Sequence, residues 1–181
     1  MVAVRREMTK AEFAAIDKPG HYDLVDGELW SVTPTKIPHG HYAAELTTDL
    51  NIYLRANGGG RVYSNDPGFV IDETGRTILC PDVAFVRTER IPPGLDDFFP
   101  GAPDLAVEVI SRSERPKQVR IKVARYLAGG TRLVWCVYPE RKQVVVHSDQ
   151  QPPLTLGAND VLDGGELLPG FRLALSALFT E

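Results

Sequence analysis

The sequence has 181 residues, 43% hydrophobic and 24% charged, a composition that excludes disorder as the overall state and fits one domain over residues 1–181. A formal net charge of −4, with pI about 5.6, argues against tight, indiscriminate nucleic-acid binding but leaves room for a local basic patch. No apolar stretch approaches the roughly 20 residues needed to span a bilayer. The basic start MVAVRREMTKAEF has no apolar segment behind it that would make a secretory signal. Cys80 and Cys136 lie within apolar runs and read as small core residues in a reducing compartment, so the expected address is the cytoplasm.

In chain order, Thr9 and Glu12 have capping-box spacing and open a short helix, TKAEFAAI. HYDLVDGELWSV reads as a hairpin turning at Asp26-Gly27. HGHYAAELTTDLNIYLRANGGG predicts a longer helix, with Tyr42, Leu46, Leu50 and Leu54 on one stripe and Gly58 to Gly60 ending it. RVYS, GFVID and TILCPDVAFV predict strands, and TERIPPGLDDFFPGAP a loop too rich in Pro and Gly for regular structure. DLAVEVIS predicts a strand buried on both faces. RPKQVRIKVARYLAGG predicts a helix with Pro116 in its first turn and a core stripe of Val119, Val123, Tyr126 and Leu127. A hairpin, TRLVWCVYPERKQVVVH, and a tail ending GELLPGFRLALSALF follow. Helix, three strands, helix, strand is the order of an α/β sandwich around a mixed central sheet.

Two carboxylates stand where burial is expected: Asp82 within ILCPDVAFV and Glu108 within LAVEVI. A buried charge costs several kcal/mol unless a partner or metal compensates it. Either acid alone is equally well read as half of a structural ion pair; together they favour a site for a hard divalent cation. Lys122, between Val119 and Tyr126, borders the apolar stripe of its helix. Glu108 lies about 10 Å before the end of its strand at roughly 3.3 Å per residue. Lys122 lies about 9 Å into its helix at roughly 1.5 Å per residue. If the helix runs back along the strand, the ammonium reaches the carboxylate; the alternative is a lysine whose stem covers the sheet.

The succession HYDLVDGELW, a His ahead of a helix, CPDVAFV, LAVEVISRS, KVARY, a GG with a following Trp, and ELLPGFRL resembles the Uma-type family of restriction-endonuclease-like proteins, within the PD-(D/E)xK nuclease superfamily. The resemblance runs from about Met8 to the C-terminus. It implies a restriction-endonuclease-like α/β core in α-β-β-β-α-β order, a mixed sheet flanked by helices, with an N-terminal helix and hairpin as extension. It also implies a phosphodiesterase dependent on Mg²⁺ or Mn²⁺, acting on nucleic acid, DNA foremost. Asp82 and Glu108, with a backbone carbonyl such as that of Val109, would hold one or two ions. Most of the superfamily has its lysine two residues after the Glu, where this chain has Ile110, and Lys122 is the matching residue on the following helix. Lys122 would orient or deprotonate the attacking water. Glu28 in the DGE turn and His39 are the supporting positions. Gln118 stands where the family usually has an Asp, and Thr131 to Val134 where it has an acidic residue.

Arg112, Arg115, Lys117, Arg120 and Arg125 surround that helix and are candidates for phosphate contacts, or else a solvated helix face. His39-Gly-His41 with Glu45 echoes a cupin-type metal site, which requires strands through Tyr42 to Leu54. A third reading keeps the fold and drops the chemistry, leaving a scaffold that binds DNA or a partner protein. The apolar FRLALSALF either forms a homodimer contact or closes the core.

Overall fold

The computed structural model describes residues 7–16, 21–32, 37–112 and 114–180. Thr9 caps α1 (Lys10–Ala14), and the Glu12 carboxylate accepts the Thr9 backbone N–H at 2.9 Å, completing the capping box. Asp26 and Gly27 take φ of 53° and 81°, a mirror-image turn that pairs β1 (His21–Val25) with β2 (Glu28–Val32). In α2 (Ile37–Asn57) the i, i+4 stripe buries Leu46 and Leu50 completely. The segment that a cupin would need as strands is this helix, which removes the cupin-type reading.

The remaining strands are β3 (Gly60–Ser64), β4 (Phe69–Val70), β5 (Ile78–Leu79), β6 (Val83–Arg87), β7 (Phe99–Pro100) and β8 (Leu105–Val109). After α3 (Pro116–Ala128) come β9 (Leu133–Tyr138), β10 (Gln143–His147), β11 (Leu154–Gly157), β12 (Val161–Asp163), β13 (Arg172–Ala174) and α4 (Leu175–Leu178). One expectation is corrected: TILCPDVAFV is two strands, β5 and β6, in different sheets. Pro81 has no N–H for a ladder and holds the preceding residue extended, so the chain leaves one sheet and enters the other at Cys80-Pro81-Asp82. The loop after β6 also holds a 3-10 turn, Thr88–Arg90, and β7.

The six-stranded sheet runs β11-β10-β9-β8-β6-β3, parallel only between β8 and β9. With its helices it reads α2, β3, β6, β8, α3, β9 along the chain, with β4, β5 and β7 of the other sheet interleaved. Period-2 alternation gives its two faces different side chains. Phe85, Leu105, Val107 and Trp135 pack with α2 and the C-terminal segment. Ala84, Ala106 and Cys136 face the other way, toward α3 and the five-stranded sheet β2-β1-β5-β4-β7. Those small residues let the second layer come close. At the end of α3, a Cβ on Gly129 would stand 2.6 Å from Ile71 Cγ2, so only glycine fits there.

The C-terminal segment closes the core. Phe171, Leu173, Leu175, Leu178 and Phe179 are buried, and Phe171 stacks on Trp135 with centroids 5.7 Å apart. Its apolar side chains are therefore spent inside the molecule, and the idea that they form a dimer contact falls away. Leu175→Ala is expected to cost about 2–5 kcal/mol, lowering Tm by on the order of 10 °C, with the sedimentation coefficient unchanged; a calorimetric scan beside a sedimentation run checks both.

Candidate active site

β6 and β8 run antiparallel with Val83 opposite Val107, so Asp82, just ahead of β6, stands opposite Glu108. Asp82 is thus at a strand entrance, whereas the sequence suggested mid-strand. Its Oδ2 accepts the Val109 N–H at 2.6 Å, and its Oδ1 lies 3.2 Å from His39 Nε2 in the first turn of α2. Glu108 shares the face of Ala106 and points at α3. Its Oε2 accepts from Lys122 Nζ at 2.6 Å and its Oε1 from the Tyr126 hydroxyl at 2.7 Å. Lys122 and Tyr126 are four apart on α3, hence on one helix face. The helix does return along the strand, and the ammonium reaches the carboxylate. A third acid joins them from the hairpin: Asp23 Oδ2 lies 3.1 Å from Lys122 Nζ, and Asp23 Oδ1 accepts the Cys80 N–H at 2.8 Å.

The electrostatics follow from burial and charge count. Burial pushes the Glu108 carboxyl above the usual carboxylate range; Lys122 opposes that, and Asp82 and Asp23 add to it. Burial alone would discharge Lys122, but Asp23 and Glu108 outweigh it and hold the ammonium well above its ordinary value. His39 is likewise penalised by burial, and Asp82, Glu114 and Asp66 more than compensate, raising its imidazole. Tyr126 is raised by burial and by Glu108, so the phenol stays a donor. The thiols are inert: burial pushes Cys136 up to about 12 and Cys80 further.

Three carboxyl groups thus surround one ammonium and one imidazole, and burial beside two other acids is what raises Glu108. Among the described residues no group of three His, Cys, Asp or Glu side chains is arranged to hold a metal. The protein's share would be the facing pair Asp82 and Glu108. Mg²⁺ is commonly held by one or two carboxylates, with water and phosphate oxygens completing its shell. These hard oxygen donors fit that ion.

A family model described as "Putative restriction endonuclease" matches residues 10–176. The chain belongs to that family, Uma2. It is also similar to a solved structure from Anabaena variabilis titled as a putative nuclease belonging to DUF820. That match has a TM-score of 0.82 at 19% identity and covers 95% of this chain and 97% of the other; at such identity the fold is what is shared. No curated protein matches. The restriction-endonuclease-like α/β fold is therefore established, and with it membership in a family of nuclease-like proteins.

Of the supporting positions, His39 joins the cluster through Asp82 and the others fall outside it. Glu28 is exposed at the start of β2, across from Val25, and the hairpin's acid at the cluster is Asp23. Arg115 stands at the N-cap position of α3 with no side-chain cap bond, and Lys117 and Arg120 are exposed beyond it. Arg112, 78% exposed, is paired with Glu140, and Arg125 pairs with Asp26 at 2.6 Å. Arg112 and Arg120 line a cleft of about 750 Å³ with Tyr138 and Arg141. Half-buried Gln118 lies one turn before Lys122, whose carboxylates come from other elements. Sequence reasoning missed Asp23 and took Tyr126 for core alone. Asp23 shares the inner strand face with buried Val25, a placement set by the pairing of β1 with β5.

Lys122→Met would leave Asp23 and Glu108 buried against each other and is expected to cost about 3–5 kcal/mol. Adding Glu108→Gln should restore part of that loss, as read by urea unfolding of both variants.

Proposed function

We propose that the chain is a metal-dependent nuclease that hydrolyses nucleic-acid phosphodiester bonds, with DNA as the first substrate to test. The observation that supports this best is the convergence of Asp82, Glu108 and Lys122 at the facing ends of β6 and β8. Asp82 and Glu108, with a neighbouring backbone carbonyl such as that of Val109, would hold Mg²⁺ or Mn²⁺. When bound, such an ion acidifies a water and offsets charge on a leaving oxygen.

The chain's own groups have separable tasks. Lys122, kept as an ammonium, donates toward the non-bridging phosphate oxygens or the water and opposes the charge that builds there. Tyr126 fixes the Glu108 carboxylate from the side away from Lys122. The Val109 N–H and His39 fix Asp82, and the raised imidazole is a candidate donor to a phosphate oxygen. Arg112, Arg115 and Arg120, exposed next to α3, supply charge for the backbone of a longer substrate. A homodimer would give a duplex nuclease its second cut, and a contact for it would have to lie away from the buried C-terminal segment.

A second reading has an observation in its favour: both oxygens of Glu108 already hold a donor, Lys122 on one and Tyr126 on the other. That arrangement also suits a closed scaffold which binds nucleic acid or protein without cutting.

Cleavage of linear, supercoiled and single-stranded DNA and of RNA, with Mg²⁺, Mn²⁺ or chelator, separates the readings. Loss on the order of 100-fold or more is expected for Asp82→Ala, Glu108→Ala and Lys122→Ala, and complete loss with chelator. Uncut substrate at every condition, with binding intact by gel shift, would favour the scaffold. Mg²⁺ should raise the Tm of the parent and leave that of Asp82→Ala unmoved, which a thermal-shift titration reads without any substrate.

A further inference from the structure

The Lys122 side chain is a flexible four-carbon stem, and a single carboxylate partner would leave its ammonium free to swing. Asp23 supplies a second partner, 3.1 Å from Nζ, and is itself held rigidly. Its other oxygen accepts the Cys80 N–H at 2.8 Å, and its strand is paired with β2 along all of its length and with β5 through Leu24 and Ile78. The same Cys80 bond restrains the crossover whose next residues are Pro81 and Asp82. One carboxylate of the hairpin layer thus touches both ends of the site, the amine and the segment that presents the first acid. A second tie, Arg125 to Asp26 at 2.6 Å, fastens α3 to the hairpin turn one helical turn further on.

Stability does not account for this arrangement. Asp23, which is 2% exposed, is a second buried acid on one ammonium, and with Asp82 it pushes the Glu108 carboxyl up, which opposes the cluster's stability. Buried ionic clusters are commonly no more stable than apolar side chains of the same volume. What the third member adds is a fixed direction for the amine.

We infer that Asp23 is a positioning residue: it holds the Lys122 ammonium against Glu108 and steadies the Cys80-Pro81 crossover ahead of Asp82, so that the N-terminal hairpin is a working part of the site. The inference rests on the nuclease reading above for its catalytic consequence, and on the geometry alone for the tether. Asp23→Asn keeps an oxygen for the Cys80 N–H and removes the charge from Lys122.

The test compares the parent, Asp23→Asn, Lys122→Ala and the double variant by cleavage kinetics and by ¹⁵N NMR of the lysine ammonium groups, with folding followed by Tm. Asp23→Asn should lower kcat by about 10–100-fold with KM within about twofold, and the double variant should cut no more slowly than Lys122→Ala. Losses that multiply in the double variant, or an unchanged kcat in Asp23→Asn, would overturn the inference. The ammonium signal that Lys122→Ala removes should be slowly exchanging in the parent and gone in Asp23→Asn. A signal that persists unchanged in Asp23→Asn overturns the tether whatever the kinetics. If the parent cuts nothing and the signal still vanishes in Asp23→Asn, the nuclease reading fails while the tether stands. Should Lys122→Ala not fold, Lys122→Met takes its place in both arms.

Discussion

One buried ammonium shared between two acids organises this molecule. Lys122 Nζ lies 2.6 Å from Glu108 in the six-stranded sheet and 3.1 Å from Asp23 in the five-stranded one. A lysine in that position cannot shed its charge, because discharging it would strand two buried carboxylates against a third, Asp82. Nor can the two layers slide apart without breaking its bonds. The packing of α3 and the hairpin onto the central sheet is thereby tied to the electrostatics of the cluster, and a change in either is felt in the other.

The backbone meets this demand with ordinary means. Ala84, Ala106 and Cys136 keep the inner face of the sheet low, which leaves space for a carboxylate, an ammonium and a phenol between the layers. Bulk is moved to the opposite face, where Phe85, Trp135 and Phe171 fill the core under α2. The break at Pro81 turns what would be one long strand into a bridge between sheets, and places Asp82 at an entrance where its carboxylate can meet both a backbone N–H and His39. A continuous strand would have put the same acid in a ladder, flanked on both sides by neighbours.

Much of this was legible in the sequence, for reasons that differ by residue. Helix caps, the Asp26-Gly27 turn and the i, i+4 stripe of α2 are local signals, and local signals survive into the fold. Glu108 was visible because a charge interrupts an apolar run, and the distances along strand and helix brought Lys122 to its height. Asp23 was hidden by its surroundings: in HYDLVDGE it sits among other polar residues, and only the pairing of the hairpin with β5 shows that its strand face is buried. The break in TILCPDVAFV was hidden because its apolar pattern runs straight through Pro81, and sheet membership is a non-local property. Arg125 looked like a phosphate contact by proximity to Lys122, but three residues along a helix is enough to aim it at Asp26.

The exposure of the cluster is graded, and the gradient has a consequence for any substrate. Side-chain exposure is 3% for Asp23, 7% for Glu108 and 10% for Lys122, and rises to 13% for Asp82 and 14% for His39. The cluster is therefore most deeply buried on the hairpin side and least so at the start of α2. A superfamily lysine at position 110 would have projected from the strand end, on the way to the cleft that Ile110 lines. Delivered from α3, the amine instead sits behind Glu108, between the layers. On the proposed nuclease reading, a phosphate approaches past His39 and Asp82 and meets the ammonium last. On that path the raised imidazole of His39 meets the phosphate first, and the two acids oppose it before the lysine attracts it.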